Sequence, residues 1–226
     1  MKRLLPLLFL AAPTSTQAHD SEIPYGIEIV TGYRSDYVYR GFSLADDLIE
    51  IQIGTEIALS DEWLLDLGAW YGGGSRSFEE ISAAFGIRYD QDSWDVGLDA
   101  SWRGYDHAFF QDGIDFGPYF NWRPNADWRI GAGVSYDTGP DGWYGKLEAE
   151  WSKPVGSDSF VSILGGASAT SNYYGRGGFN DFYTRLGWTY GVNESVAFTP
   201  FVGSSVPLYS GGSTRLFAGL WFEVNF

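Results

Sequence analysis

The chain contains no cysteine and only two histidines. The first lack excludes a disulfide-stapled secreted module, and together they exclude the Cys/His clusters that hold transition metals. Bases are scarce as well: 14 Lys and Arg stand against 29 Asp and Glu, a formal charge of −15. Such an excess repels phosphate backbones, and no basic stripe offsets it, so nucleic acid is excluded as a partner. Nowhere does the chain carry the roughly 20 consecutive apolar residues that a membrane-spanning helix needs. Hydropathy taken alone therefore describes a soluble, secreted protein.

Three features that are present point elsewhere. Met1-Lys2-Arg3 is followed by an apolar run, Leu4 to Ala12, and by small residues at Thr16-Gln17-Ala18. This is the form of an export signal covering residues 1–18, with the mature chain starting near His19 and residues 19–226 forming one domain. Removing Lys2 and Arg3 makes the mature chain more acidic still. Aromatic residues are 18% of the chain, with 10 Trp, 15 Tyr and 30 Gly, a bias that fits a β-barrel better than an ordinary enzyme.

Periodicity decides the fold class. Trp94, Val96, Leu98, Ala100 and Trp102 alternate with Asp95, Gly97, Asp99, Ser101 and Arg103. Successive strand side chains point to opposite faces, so this segment has one greasy and one polar side. The pattern recurs in segments beginning near Tyr25, Leu48, Glu62, Glu79, Ser93, Gly113, Asp127, Gly142, Ser159, Gly178, Val196 and Gly212. Brief polar turns, such as Ser60-Asp61-Glu62, Gln91-Asp92 and Gly191-Val192-Asn193, alternate with mostly longer connections at 40–47, 72–77, 104–112, 137–141, 172–177 and 208–212. The expectation is an all-β, transmembrane, antiparallel up-and-down barrel of about twelve strands in a bacterial outer membrane, with short turns on the periplasmic side.

Aromatic placement agrees. Trp63, Trp94, Trp122 and Trp128 lie near short turns, with Tyr71, Trp102, Tyr136 and Trp143 at the opposite strand ends. These read as two interfacial girdles, about 20 Å apart once a strand tilt near 40° is allowed for. At the terminus Ala218, Leu220, Phe222, Val224 and Phe226 share one face and Trp221, Glu223 and Asn225 the other. Phe222, Val224 and the terminal Phe226 resemble the recognition signal of chains that pass through the outer-membrane barrel assembly machinery.

The stretch Thr31-Gly32-Tyr33-Arg34-Ser35-Asp36-Tyr37-Val38-Tyr39-Arg40-Gly41-Phe42-Ser43, with Gln52 after it, resembles the N-terminal signature of the TorF-type porin family of proteobacterial outer-membrane proteins. Leu44-Ala45-Asp46-Asp47 departs from the Ser- and Gln-rich continuation of that pattern. The resemblance implies a pore; it names no substrate. The expected function is passive passage of small solutes through a narrow polar interior with a mild preference for cations. The rival is a barrel plugged by its own side chains that serves as a structural or surface-interaction protein, and an outer-membrane enzyme comes third.

Alternation assigns lumen and constriction candidates: Arg34, Asp36, Arg40, Glu56, Asp66, Arg88, Asp95, Asp99 and Arg103, with Tyr33, Tyr37 and Tyr39 pointing outward. Inward acids outnumber inward bases. A turn at Gln91-Asp92 sets Arg88 opposite Asp95 as a cross-strand ion pair. A turn at Asp61 instead pairs Glu56 with Asp66, two like charges that need water, a cation or an arginine beside them. No catalytic constellation is found: His107 follows Asp106 in an outer loop without a partner singled out by spacing, and no cofactor is expected. Asp46-Asp47, Asp137 with Asp141, and Asp112 with Asp115 have the oxygen donors for Ca²⁺ or Mg²⁺ bridging to lipopolysaccharide, but they read more simply as solvated loop acids, and no metal site is assigned. Expected partners are outer-membrane lipid and lipopolysaccharide, the assembly machinery and small solutes.

Replacing Phe226 by Ser tests the terminal signal. Export should continue while the unfolded chain collects in the periplasm and heat-modifiable migration on gels disappears. Normal heat-modifiability of the variant in the outer membrane would contradict this reading.

Overall fold

A computed structural model describes residues 25–107 and 109–226. The export signal expected over residues 1–18 lies outside the described residues. Fourteen strands follow in order. β1 is Tyr25–Arg34, β2 Tyr37–Tyr39, β3 Phe42–Ala45, β4 Leu48–Ala58, β5 Trp63–Gly74, β6 Phe78–Gln91 and β7 Trp94–Asp106. β8 is Gly113–Asn125, β9 Trp128–Asp137, β10 Gly142–Pro154, β11 Ser159–Tyr173, β12 Arg176–Gly191, β13 Val196–Pro207 and β14 Arg215–Asn225. Twelve of them close into an antiparallel barrel in which β1 joins β14 on one side and β4 on the other, while β2 and β3 form a separate hairpin.

The wall is built from the alternation. On β4, Ile49, Ile51 and Ile53 are exposed on the outside whereas Leu48 and Glu50 are buried within. Trp63, Trp122 and Trp128 lie exposed at the short-turn end and Tyr71, Trp102 and Trp143 at the other, so both aromatic girdles face outward. Rings within them touch: Tyr136 and Trp143 are 5.2 Å apart between centroids, as are Trp63 and Tyr89. On the outer face Thr184 and Ser204 satisfy each other by sharing a hydrogen bond of 2.9 Å. At the seam Glu28 to Arg34 align with Asn225 to Gly219, and the Phe226 amide donates to the Ile27 carbonyl at 2.9 Å.

Many inward glycines have a shared purpose. Gly97 stands opposite Tyr119, Gly166 opposite Tyr183, Gly203 opposite Phe217 and Gly219 opposite Phe201. A Cβ at Gly97 would lie 2.5 Å from the Tyr119 ring, and one at Gly219 only 2.3 Å from the Phe201 ring. Each ring therefore lies flat over a cross-strand glycine, which keeps large aromatics against the wall and out of the centre.

Strand starts match the alternation to within about three residues, but the connections differ from expectation in three ways. First, the outer ends are more regular: β5 runs to Gly74, β11 to Tyr173 and β12 from Arg176, so half of the segment 72–77 and most of 172–177 are strand. Backbone pairing continues beyond the apolar belt because the glycines there do not oppose it. Second, β6 turns at Asp92-Ser93, with Gln91 facing Trp94. Arg88 therefore faces Gly97, and Asp95 faces Asp90. This register brings Trp94 into the aromatic row with Tyr89, 5.8 Å away. Third, the segment after β1 folds inward as the β2–β3 hairpin instead of forming an external loop.

The alternation places Leu98 outward, 58% exposed, on the middle of β7, and Asp99 inward. Leu98→Arg should destabilise the folded barrel by about 2–4 kcal/mol, the cost of a lipid-facing Arg at the midplane. Asp99→Asn should change it little. Equal tolerance at the two positions in urea titrations of folded barrels would contradict the facing assigned here.

Candidate functional site

The hairpin turns at Arg40-Gly41, with Tyr39 paired to Phe42. Both turn residues have positive φ, 48° and 75°, the conformation that a two-residue turn between twisted strands requires. Gly41 also admits the Asn180 side chain, whose Nδ2 would lie 2.9 Å from a Cβ at that position.

The hairpin fills the outer mouth. Tyr37, Tyr39, Phe42, Leu44 and Ala45 join Leu48, Phe78, Phe110, Tyr144 and Tyr173 in a buried cluster, with Trp70, Tyr105 and Tyr174 packed against it. Phe110 and Tyr174 close over Phe42 from the outer loops, at ring separations of 5.3 and 5.9 Å. The alternation of β1, carried forward, points Tyr37 and Tyr39 outward as anchors. They are instead buried inside, because the chain leaves the wall after Arg34 and that alternation no longer governs them. Tyr33, still on β1, does face outward.

Polar contacts hold the hairpin, and ion pairs brace the wall around it. Arg34 grips both oxygens of Glu50, at 2.5 and 2.6 Å, and the same carboxylate accepts the indole N–H groups of Trp70 at 2.9 Å and Trp221 at 2.7 Å. Arg103 donates to Glu80 at 2.9 Å, Tyr37 donates to the other Glu80 oxygen at 3.0 Å, and the Arg103 guanidinium lies 4.4 Å from the Tyr39 ring. Asp36 accepts from Ser43 at 2.9 Å, with Arg215 3.7 Å away. Arg40 reaches across to Asp115, Asp137, Ser135 and Tyr173 on the far wall. Asn180 Nδ2 donates to the Arg40 carbonyl at 2.9 Å, and Arg176 donates to that of Gly41 at 3.2 Å.

Below the hairpin the lumen is polar. Glu56 faces Asp66 across β4 and β5, and Arg88 stands between them, bonded to Glu56 and 3.8 Å from Asp66. The like-charged pair is thus flanked by an arginine, and Arg88 serves it instead of Asp95. Arg123 bridges Asp95 and Asp90, both at 2.5 Å, Asn121 adds a 2.8 Å bond to Asp95, and Arg129 pairs with Glu150 at 2.9 Å. Asp99, Glu28 and Glu223 have no basic nitrogen within 4.0 Å among the described residues. Phe222, Val224 and Phe226 lie on the outer face of the last strand.

The acids weighed as cation ligands are engaged with protein groups. Asp46 binds Arg76, Asp115 and Asp137 face Arg40, and Asp141 accepts from Tyr136. His107 Nδ1 accepts the backbone N–H of Phe109 at 3.2 Å. Glu80, Trp70 and Asn180 escaped the reading of the sequence. The alternation of β5 and β6 assigns Trp70 and Glu80 to the lumen, but nothing local marks Trp70 as a donor to Glu50 or Asn180 as a latch.

A closed barrel with an apolar outer belt and a charged interior is the architecture of the bacterial outer membrane, and the chain belongs to that class of structure. No family model and no curated protein matches the sequence. Solved structures do match the fold. The KdgM porin in complex with disordered oligogalacturonate gives a TM-score of 0.58 at 8% identity, over 87% of this chain and 98% of that one. An outer membrane channel from Pseudomonas putida F1 gives 0.60 at 9%, over 96% and 100%. The NanC porin gives 0.57 at 12%, over 88% and 98%. The likeness is one of fold: a porin-like barrel of outer-membrane type.

Arg88→Met would leave Glu56 and Asp66 facing each other without their counter-charge. It should destabilise the barrel by about 3 kcal/mol, the lower end for breaking a buried pair, because the site is partly wet. Adding Glu56→Gln and Asp66→Asn should recover most of that loss. An uncoupled result in the mutant cycle, read from denaturant midpoints, would remove Arg88 from this role.

Proposed function

We propose that the protein is an outer-membrane channel of the TorF-type porin family, passing small solutes passively, and that the plugged conformation is its closed state. The observation that carries the reading is the division of the lumen. The lower half is lined by charged and hydroxyl side chains, and the upper half is stopped by a hairpin linked to the wall at β1 and β4. A barrel built only as a rigid body has little use for inward carboxylates such as Asp99 and Glu223, since burying charge is costly unless water reaches it. Solutes would pass once the hairpin leaves the mouth. The unpaired acids would then favour cations modestly, and no catalytic step is assigned to the wall.

The second reading, a permanently plugged structural or surface-interaction barrel, draws on the size and tight burial of the aromatic cluster. The two part in a planar bilayer. Replacing Asp36–Asp46 by a short Gly/Ser linker should produce stepwise currents that are rare in the parent. Across a KCl gradient the reversal potential should show cation preference in dilute salt and little in concentrated salt, as the Debye length falls from about 30 Å at 0.01 M to about 3 Å at 1 M. A folded barrel without the hairpin that carries no current would favour the plugged reading. Anion selectivity would show that the lumen arginines govern the passage.

A further inference from the structure

The place where Arg40 ends has the form of a binding site. Its permanent walls come from four adjacent strands. Asp115 of β8 bonds one guanidinium nitrogen. Ser135 of β9 accepts from the same nitrogen at 3.2 Å, and Asp137 lies 3.7 Å from the other. Tyr144 of β10 presents its ring 4.4 Å from the guanidinium carbon. Tyr173 of β11 accepts a hydrogen bond at 3.0 Å and holds its ring at 5.3 Å. The Tyr173 hydroxyl donates onward to Asp137 at 3.0 Å, which fixes that carboxylate. The two carboxylates are more than nine-tenths buried, and Asp115 Oδ1 has no hydrogen-bond partner, an acceptor still open inside the site.

This donor set selects a chemical class. Compact metal cations prefer a shell of oxygens alone, whereas a planar, weakly hydrated guanidinium takes carboxylates at its edge and aromatic rings on its face. Arg40 is also held at some cost to its backbone: an Arg at φ 48° stands where Gly or Asn is preferred. The turn sets the backbone and would favour Gly or Asn there, so an Arg at this position points to a role for its side chain.

We infer that the Asp115–Asp137–Tyr144–Tyr173 socket is a binding site for small guanidino cations, occupied in the closed barrel by Arg40 as an internal ligand, so that such solutes displace Arg40 and loosen the hairpin. Binding itself is independent of the channel reading. Only the consequence, an opened passage, rests on it.

Methylguanidine is the probe. In the folded Arg40→Ala barrel, where the socket is vacated, it should raise the thermal midpoint by about 2–4 °C at saturation, and KCl at equal ionic strength should not. Adding Asp115→Asn and Asp137→Asn should abolish the shift. A second measurement keeps Arg40 in place. The chain has no cysteine, so Ser43→Cys supplies a unique thiol on the half-buried hairpin, and methylguanidine should speed its labelling by a maleimide severalfold. The inference is overturned by no midpoint shift in Arg40→Ala, by an equal shift with KCl, by a shift that survives the two Asn substitutions, or by an unchanged labelling rate. If methylguanidine binds Arg40→Ala but the hairpin-less barrel carries no current, the site stands and the channel reading falls. If the hairpin-less barrel carries current but methylguanidine does not bind, the channel stands and the site falls.

Discussion

Inside a bilayer no water is available to backbone N–H and C=O groups, so a sheet that crosses it must have no edge. The rest of this molecule follows from that closure. Twelve strands suffice to close the ring, and the seam between β1 and β14 is completed by the last residue, whose amide bonds to the Ile27 carbonyl. Closure leaves the outside mostly apolar and gathers most charges of the wall into one confined space. There the charges must pair, stay wet or be covered.

All three outcomes occur, and they are separated along the axis. In the lower half arginines stand between acids, as Arg88 does for Glu56 and Asp66 and Arg123 for Asp90 and Asp95. Flat rings over cross-strand glycines keep the centre from filling. In the upper half a short hairpin carries four aromatic or branched side chains into the mouth and is tied to the wall by Arg40–Asp115, Asp36–Arg215 and the Tyr37 hydroxyl on Glu80, with Arg34–Glu50 and Arg103–Glu80 bracing the wall around it. Because the ties are polar and few, the closure has an identifiable fastening, with Arg40 at the end farthest from the hairpin's attachment.

Strict alternation made the barrel legible in the sequence. Period two is long-lived in each strand, and a change of facing would move a whole apolar row into the lumen, so strand number, facing and even the Glu56–Asp66 opposition could be read. Turn position was less legible, since moving the β6–β7 turn from Gln91-Asp92 to Asp92-Ser93 preserves facing while exchanging partners; only tertiary contacts such as Tyr89 with Trp94 choose between the two. The hairpin was not legible as an inward element. Tyr37 and Tyr39 continue the alternation of β1 on paper, and the signal that the chain has left the wall, Arg40-Gly41 as a tight turn, looks the same in an outer loop. The roles of Trp70 and Trp221 were hidden for a related reason: an inward tryptophan is intelligible only once Glu50 is seen to accept both indole N–H groups.

The central claim is that the hairpin is a folded part of the mouth and that Arg40 holds it there. Hydrogen–deuterium exchange on the barrel in detergent or lipid tests this without needing transport. Amides of residues 36–46 should exchange slowly in the parent, comparably to the barrel strands around them. In Arg40→Ala those amides should lose protection while β4 to β14 keep theirs. Rapid exchange of 36–46 in the parent, at the rate of the exposed 208–214 connection, or protection unchanged by the loss of Arg40, would contradict it.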